Sequence, residues 1–350
     1  MIEQIAAAMQ RQDYATAARL VQQLLQQSPQ NPWALLYLAQ LHEFNQLTTA
    51  QNVYRQLLHD ATNTKIVTQA RQGLQRVEEK LQQQRQHAIA QATADPSNAQ
   101  IGVLILERIP NENKTAAAQK LAQIMQIDSY TARLQLPTRG WKFYKSGKIG
   151  ELRYLGENLR NADIPCFWVK LADIEKIRVF QVHYFQSTTP QATVVCQDER
   201  QTSELAFAWS EVTQRVMGQL PIFEQVVDRD VRGKLQRKTQ TQDYAQFCDL
   251  HLPQRQCILR LCDRTYQFQN TQATIRLNWN NLMNLNSKPE ATVWTDFMPF
   301  AQSVLDHTQT LKHIKNSHIN LFRRSASNWD PAFHLYSGLL FLKNHPLTIE

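Results

Sequence analysis

Glycine is scarce in this chain, nine among 350 residues, and the motifs that depend on it are missing: there is no Gly-x-x-x-x-Gly-Lys loop and no Gly-x-Ser-x-Gly elbow. A His-Glu-x-x-His pair is missing too. Without these signatures the sequence announces no catalytic machinery, so no enzyme activity and no cofactor are expected from it. Cysteine is also sparse. Five residues (Cys166, Cys196, Cys248, Cys257, Cys262) are too few and odd in number for a disulfide framework, and they suit reduced thiols in the cytoplasm. The N-terminal stretch carries Glu3 where a secretion signal would carry positive charge, and the longest apolar run near the end, "LYSGLLFL", is too short to span a bilayer. A cytoplasmic protein with no transmembrane segment is therefore expected, peripheral attachment to a membrane staying open. Concentrated charge is lacking as well. The formal net charge of +8 divides as 8 cations against 7 anions up to residue 100, 11 against 8 up to residue 175, and 19 against 15 thereafter. A nucleic-acid footprint would gather its cations in one patch.

What is present begins with helix. Residues 1–95 hold Gly73 as their only glycine and are rich in Ala, Leu and Gln. Ala17, Val21 and Leu24 recur as Ala50, Tyr54 and Leu57, offset by 33 residues, the period of stacked helical hairpins. "QDYATAARLVQQLLQQSPQNPW" has Tyr14 before the small Ala17 and Pro29 closing the helix; "NPWALLYLAQLHEFNQLTTAQNVYRQLL" has Trp33 and Leu36 opening one helix and Ala50 the next. These segments resemble tetratricopeptide repeats, the second a complete one, with Tyr37 where a small residue is usual. The resemblance implies a superhelical stack that binds other proteins.

After a turn-rich break, "TADPSNAQ", the period changes. Over residues 100–172 the pattern predicts a strand ("IGVLILERI"), two helices (the second capped by Asp128), a loop, a third helix ("GKIGELRYLGENLRNA") and a closing strand ("IPCFWVKL"). This order is similar to the small α/β fold of the ribosomal stalk C-terminal domain and of the protease adaptor that recognises N-terminal degradation signals. The adaptor's acidic loop has no counterpart, since Glu107, Arg108, Ile109, Pro110 and Asn111 stand there. Residues 176–350 then predict short strands, among them "KIRVFQVHYFQ", "QATVVCQDE", "SELAFAWSEV", "YAQFCDLHL" and "CILRLCDRTYQF". A helix follows from Asp296 through "TDFMPFAQSVLDHTQTLKHIKNSH", with Phe297, Phe300, Ala301, Val304, Leu305, Leu311 and Ile314 at helical spacing. The expected fold class is thus multidomain α+β: helical hairpins, a small α/β module, and a β-rich module, sandwich or pleckstrin-like, with an amphipathic helix. Together with "CDRTYQFQ", "WNNLMNL" and "FHLYSGLLFLK", the chain resembles cyanobacterial tetratricopeptide-repeat proteins without assigned activity.

Several groups are candidate sites. Cys248, His251, Cys257 and Cys262 have the chemistry of zinc ligands, but their spacings put Cys248 opposite His251 and Cys257 opposite Cys262 on strands, so they read as core and no metal is expected. His307 and His318 fall near one helix face but three turns apart, and His313 points elsewhere, so the three cannot share a metal. Trp168, Trp209 and Trp279 lack the interleaved cations of a base-stacking platform and read as core. In "RGKLQRKTQTQDY", Arg232, Lys234, Arg237 and Lys238 crowd a segment neither face of which can be buried, so it is a loop or an exposed sheet edge. The first reading is a scaffold or assembly factor that binds one or more proteins through Trp33 and Tyr37 of the repeats, with Lys234, Arg237 and Lys238 as an edge for strand addition. The alternative is an RNA- or DNA-associated protein using Arg232, Lys234, Arg237 and Lys238 with a basic terminal helix, Lys312, Lys315, Arg323 and Arg324.

Overall fold

The structure, a computed structural model, describes residues 1–198, 201–229, 234–270, 291–292, 294–305 and 329–345. It divides into two compact units, Met1–Gln91 and Ala92–Glu350.

The first unit is helical: α1 (Ile2–Gln10), α2 (Tyr14–Gln27), α3 (Pro32–Asn45), α4 (Leu47–Asp60) and most of α5 (Thr64–Thr93). The starts of α2 and α3 have a local cause. The Asp13 carboxylate accepts the backbone N–H of Thr16 at 3.1 Å, and the Asn31 side chain accepts those of Trp33 and Ala34 at 3.0 and 3.3 Å, with Pro32 at the first helical position. Ala17, Val21 and Leu24 on α2 and Ala50, Tyr54 and Leu57 on α4 are all buried, so the repeated spacing is the packing face of each second helix. The sequence shows fewer than two repeats, whereas α1 packs on α2 and α3 on α4 as two hairpins, because the short α1 lacks the signature residues.

One buried carboxylate ties the second hairpin to α5. Glu43 on α3 accepts a 2.5 Å bond from the Tyr54 hydroxyl on α4 and a paired contact from Arg76 on α5, at 2.8 and 3.3 Å. Burial holds the Tyr54 phenol above its usual range, so it remains a donor. The Tyr54 ring lies against α5 at Gly73, where an added Cβ would come within 2.3 Å of it.

The second unit contains two sheets. β1 (Ile101–Leu106), α6 (Lys114–Met125), α7 (Ser129–Gln135), β2 (Lys142–Lys148), α8 (Ile149–Asn161) and β3 (Cys166–Lys170) form an antiparallel sheet of order β2-β1-β3 with its helices. Asp128 caps α7 as expected, accepting the N–H of Thr131 at 2.8 Å. The stretch expected as a loop is the strand β2. It escapes a pattern reading because "KFYKSGK" buries little besides Phe143.

After the short α9 (Leu171–Glu175) come β4 (Arg178–Ser187), β5 (Ala192–Asp198), β6 (Gln201–Phe207), β7 (Gln214–Arg229), β8 (Leu235–Leu252), β9 (Cys257–Cys262) and β10 (Ala291–Thr292). They make one continuous sheet of order β10-β7-β8-β9-β4-β5-β6, in which β4 and β9, and β7 and β10, run parallel. α10 (Trp294–Leu305) and α11 (Trp329–Asn344) complete the unit. α10 begins two residues before Asp296, so Pro299 falls inside the helix. Phe297, Phe300, Ala301 and Val304 are buried as their spacing predicts. α11 is buried on all sides from Ala332 to Leu342, which removes the amphipathic period and explains why the sequence shows only an apolar run there.

Residues 100–172 and 176–350, which the sequence suggests as separate modules, share one core. β1 is buried on both faces: Leu104 and Leu106 pack with α6 and α8 residues, while Val103 and Ile105 join Phe247, Ile258, Phe297 and Phe333. A strand buried on both sides reads as the continuous apolar run "IGVLIL".

The α11 side of the large sheet also holds a polar cluster. Arg260 and Asp249, paired across β8 and β9, make two contacts of 2.7 and 2.6 Å and are both buried; the guanidinium lies 5.0 Å from the Phe333 ring centroid. His251 meets the Ser337 hydroxyl at 2.9 Å, and His334 is buried on α11. Burial lowers His251 from 6.5 to about 4 and His334 to about 3, and raises the Asp330 carboxyl to about 6.

Two predictions follow from these contacts. Gly73→Ala, which on an exposed helix would add about 1 kcal/mol of stability, should instead destabilise the first unit by about 1–3 kcal/mol through overpacking against Tyr54; a rise in the denaturant midpoint would contradict the packing described. For pH, the histidines bind protons more weakly folded than unfolded, so their stabilisation is full above about 6.5 and lost as pH falls towards 4. Asp330 has the opposite sign, gaining as pH falls below about 6, but one group opposes two. Stability should therefore fall between pH 7 and pH 4.5, and His334→Leu should flatten that slope by about 1.4 kcal/mol per pH unit, read by chemical denaturation at several pH values.

Candidate functional site

On α3, Trp33, Tyr37, Gln40 and Phe44 follow the spacing i, i+4, i+7, i+11, which places them within about 60° of one another around the helix. Trp33 and Tyr37 are partly buried and stack on each other, with centroids 6.4 Å apart and planes at 29°. Lys65 of α5 stands 5.8 Å from the Trp33 ring. At the other end Phe44 is 60% exposed and meets Tyr14, 38% exposed, with centroids 4.7 Å apart. A cleft of about 880 Å³ opens beside Phe44, lined also by Leu47, Thr48, Lys80, Leu81 and Gln84. Lys65 meets Trp33, Arg76 meets Glu43, and Lys80 and Leu81 share the cleft with Phe44, so α5 runs parallel to α3 and walls the stripe along its length.

Chemically the stripe offers aromatic area that is already rigid. Aromatic side chains carry large contact area on two torsions, and such anchors dominate binding where they enter a partner's pocket. The Glu43–Arg76 pair next to it is engaged in internal contacts, so the other polar groups along the stripe are neutral amides and hydroxyls with Lys65 at Trp33 and Lys80 at the cleft. Phe44 is the residue that motif reading passes over, because it belongs to no repeat signature. Its place in the i, i+4, i+11 series is the signal that could have found it.

The basic strip is elsewhere. Arg237 and Lys238 lie on β8, whose first part, Leu235–Asp243, pairs with Arg229–Ile222 of β7, while β9 reaches only Phe247–Leu252. The strip is thus a paired strand, one arm of a two-stranded ribbon extending beyond the sheet, rather than a loop; its outer side is an edge among the described residues. β7 itself is hidden in the sequence because Gly218 and Pro221 interrupt it, and Gly218 is required where the Phe333 ring would meet a Cβ at 2.6 Å. The register puts Arg237 opposite Val227 on one face and Lys238 opposite Val226 on the other. Arg229, Val227 and Leu235 share the Arg237 face, and Glu224 and Asp228 share the Lys238 face. The cations are therefore divided between the two faces, and the Lys238 face also carries acids. Lys234 stands just before β8, and Arg232, Lys312, Lys315, Arg323 and Arg324 lie outside the described residues, as do His307, Leu311, His313, Ile314, His318 and Trp279.

Cys248 and Cys257 pack on one face of the large sheet, Cys262 and His251 on the other, the division their spacing implies. Burial pushes the Cys248 and Cys262 thiols up to about 12 and that of Cys257 up to about 11, so they stay protonated and pack as small apolar groups. Trp168 is covered by the Arg160 guanidinium at 4.5 Å, and Trp209 stacks on Phe185 at 5.9 Å.

Residues 8–68 match the family described as Tetratricopeptide repeat. The N-terminal region is tetratricopeptide-like, and repeats of this kind generally mediate protein–protein interaction or scaffolding. Neither a curated protein nor a solved structure matches the chain. No helix among the described residues is long and apolar enough to cross a membrane.

The exposure of Phe44 separates binding from folding. Phe44→Ser should change unfolding free energy by less than about 0.5 kcal/mol, whereas Leu36→Ala, one helical face away and fully buried, should cost about 2–5 kcal/mol. Equal losses in a denaturant titration would show Phe44 to be a core residue.

Proposed function

We propose that this protein is a scaffold or assembly factor whose helical repeats dock a segment of a partner protein along α3. The observation that carries the reading is the aromatic stripe Trp33, Tyr37 and Phe44, in which Trp33 and Tyr37 stack on each other and which ends in a largely exposed phenylalanine beside an open cleft. The tetratricopeptide-like character of residues 8–68 supports it. The occupant would bury apolar side chains against Phe44 and Tyr14 while its main chain meets the amides of Gln40 and Gln84. In the same reading the ribbon of β7 and β8 is a second contact, where an extended segment adds a strand beside Lys234, Arg237 and Lys238. The nucleic-acid alternative gains less from the ribbon, because its cations occupy both faces and share one of them with carboxylates.

The test is co-purification from a nuclease-treated cyanobacterial extract, the lineage the sequence resembles, comparing the tagged full chain with Phe44→Ser. A protein recovered in near-stoichiometric amount with the native chain and reduced at least about tenfold by the substitution is the expected outcome. Recovery of the same proteins by both chains, or of nucleic acid alone when nuclease is omitted, would overturn the docking site.

A further inference from the structure

The second unit contains a cleft of about 510 Å³, within the size range of small-molecule sites. Its lining joins the end of β1, the turn before β2, and helices α10 and α11. Trp141 forms an aromatic wall, packed edge-on against Phe167 at 4.8 Å and Tyr336 at 5.6 Å. The turn is fixed in place: Gly140 has φ +55°, and a Cβ there would come within 2.8 Å of the Asp296 carbonyl oxygen.

The charges of the lining are not equivalent. Glu107 is ion-paired to Lys343, whose ammonium also lies 5.1 Å from the Trp141 ring centroid and 5.2 Å from that of Phe167. That carboxylate is therefore neutralised from within. Arg108 and Arg139 also line the cleft, both exposed, and neither makes an ion pair or hydrogen bond among the described residues. Asp296 is the single carboxylate of the lining without an ion pair among those residues. Tyr336, only 2% exposed, likewise has no hydrogen bond for its hydroxyl among the described residues. Two guanidinium forks and a phenol thus supply donors around one aromatic wall, with one carboxylate in opposition. Guanidinium groups bind carboxylate and phosphate oxygens in pairs, and a planar ring adds contact area on an aromatic wall.

We propose that this cleft binds a small anionic ligand, its carboxylate or phosphate held by Arg108 and Arg139 and its planar portion laid against Trp141. The inference does not rest on the docking function of the helical unit. Isothermal titration of the full chain with phenyl phosphate and with phenylacetate tests it, using inorganic phosphate and acetate as the matching anions without a ring. At least one aromatic probe should bind roughly tenfold more tightly than its ring-free counterpart, and which one binds assigns the anion as phosphate or carboxylate. Arg108→Gln and Arg139→Gln should each weaken that binding roughly tenfold or more. Arg133→Gln, an exposed position on α7 away from the lining, should leave it unchanged. Absence of saturable binding for both aromatic probes up to about 10 mM, equal affinity with and without the ring, or an equal loss in Arg133→Gln would overturn the assignment.

Discussion

The second unit is organised around a charge that has nowhere to go. Arg260 is almost wholly inaccessible, and a guanidinium buried without a partner is among the costliest arrangements a fold can contain. Asp249 answers it with two short contacts across the β8–β9 ladder, which fixes the register of those strands, since a slip of one residue would turn the carboxylate to the opposite face. Phe333 then closes the pair from α11, while Gly218 leaves room on β7 for the same ring. The position of α11 is tied in this way to the register of the sheet. From α11 the apolar core continues through Phe297 and Phe300 of α10 to Val103 and Ile105 of β1. The cleft beside Trp141 is bounded by these elements, so its geometry is a consequence of the same packing.

The first unit solves a smaller version of the same problem. Glu43 is buried between three helices and satisfied from two of them, by the Tyr54 hydroxyl and by Arg76. This network selects one arrangement of α3, α4 and α5, where apolar burial alone would tolerate sliding. Gly73 admits the Tyr54 ring that carries the hydroxyl. With α5 set parallel to α3, the stripe on the α3 surface is only partly consumed by packing at Trp33 and Tyr37 and is left exposed at Phe44. A rigid aromatic stripe loses little entropy on binding, which is the property a docking surface needs.

The legible parts of the sequence are those where one face is buried and the other wet. Ala17, Val21 and Leu24, their counterparts Ala50, Tyr54 and Leu57, and Phe297 to Val304 announce their helices by period, and each is buried where the period puts it. Among the longer elements, three are illegible for different physical reasons. β2 is half-buried along most of its length and fully buries only Phe143, so it shows no alternation; β7 is broken by a glycine and a proline that tertiary contacts accommodate, and α11 is buried all round. The shared core is illegible too, because period reports which face is buried and not what covers it. In the candidate site Trp33 is visible through the repeat signature and Tyr37 as a departure from it, whereas Phe44 and the cleft depend on how α5 lies beside α3.

The ribbon of β7 and β8 shows why local composition misleads about function. Four cations in seven residues suggest a phosphate strip when the chain is read in one dimension. Pairing imposes a period of two, and Arg237 and Lys238 separate to opposite faces, one beside Val227 and Leu235, the other beside Asp228 and Glu224. A phosphate backbone presents its charges along one line, so a ribbon with divided cations can engage only part of them at once. An extended peptide presents main-chain groups in the plane of the sheet instead, and in the proposed docking these would meet the side of Leu235–Asp243 that is unpaired among the described residues, whichever face its side chains choose. In the proposed strand addition, the same cations that guard that edge against indiscriminate pairing would favour an incoming strand that carries acidic residues at matching positions.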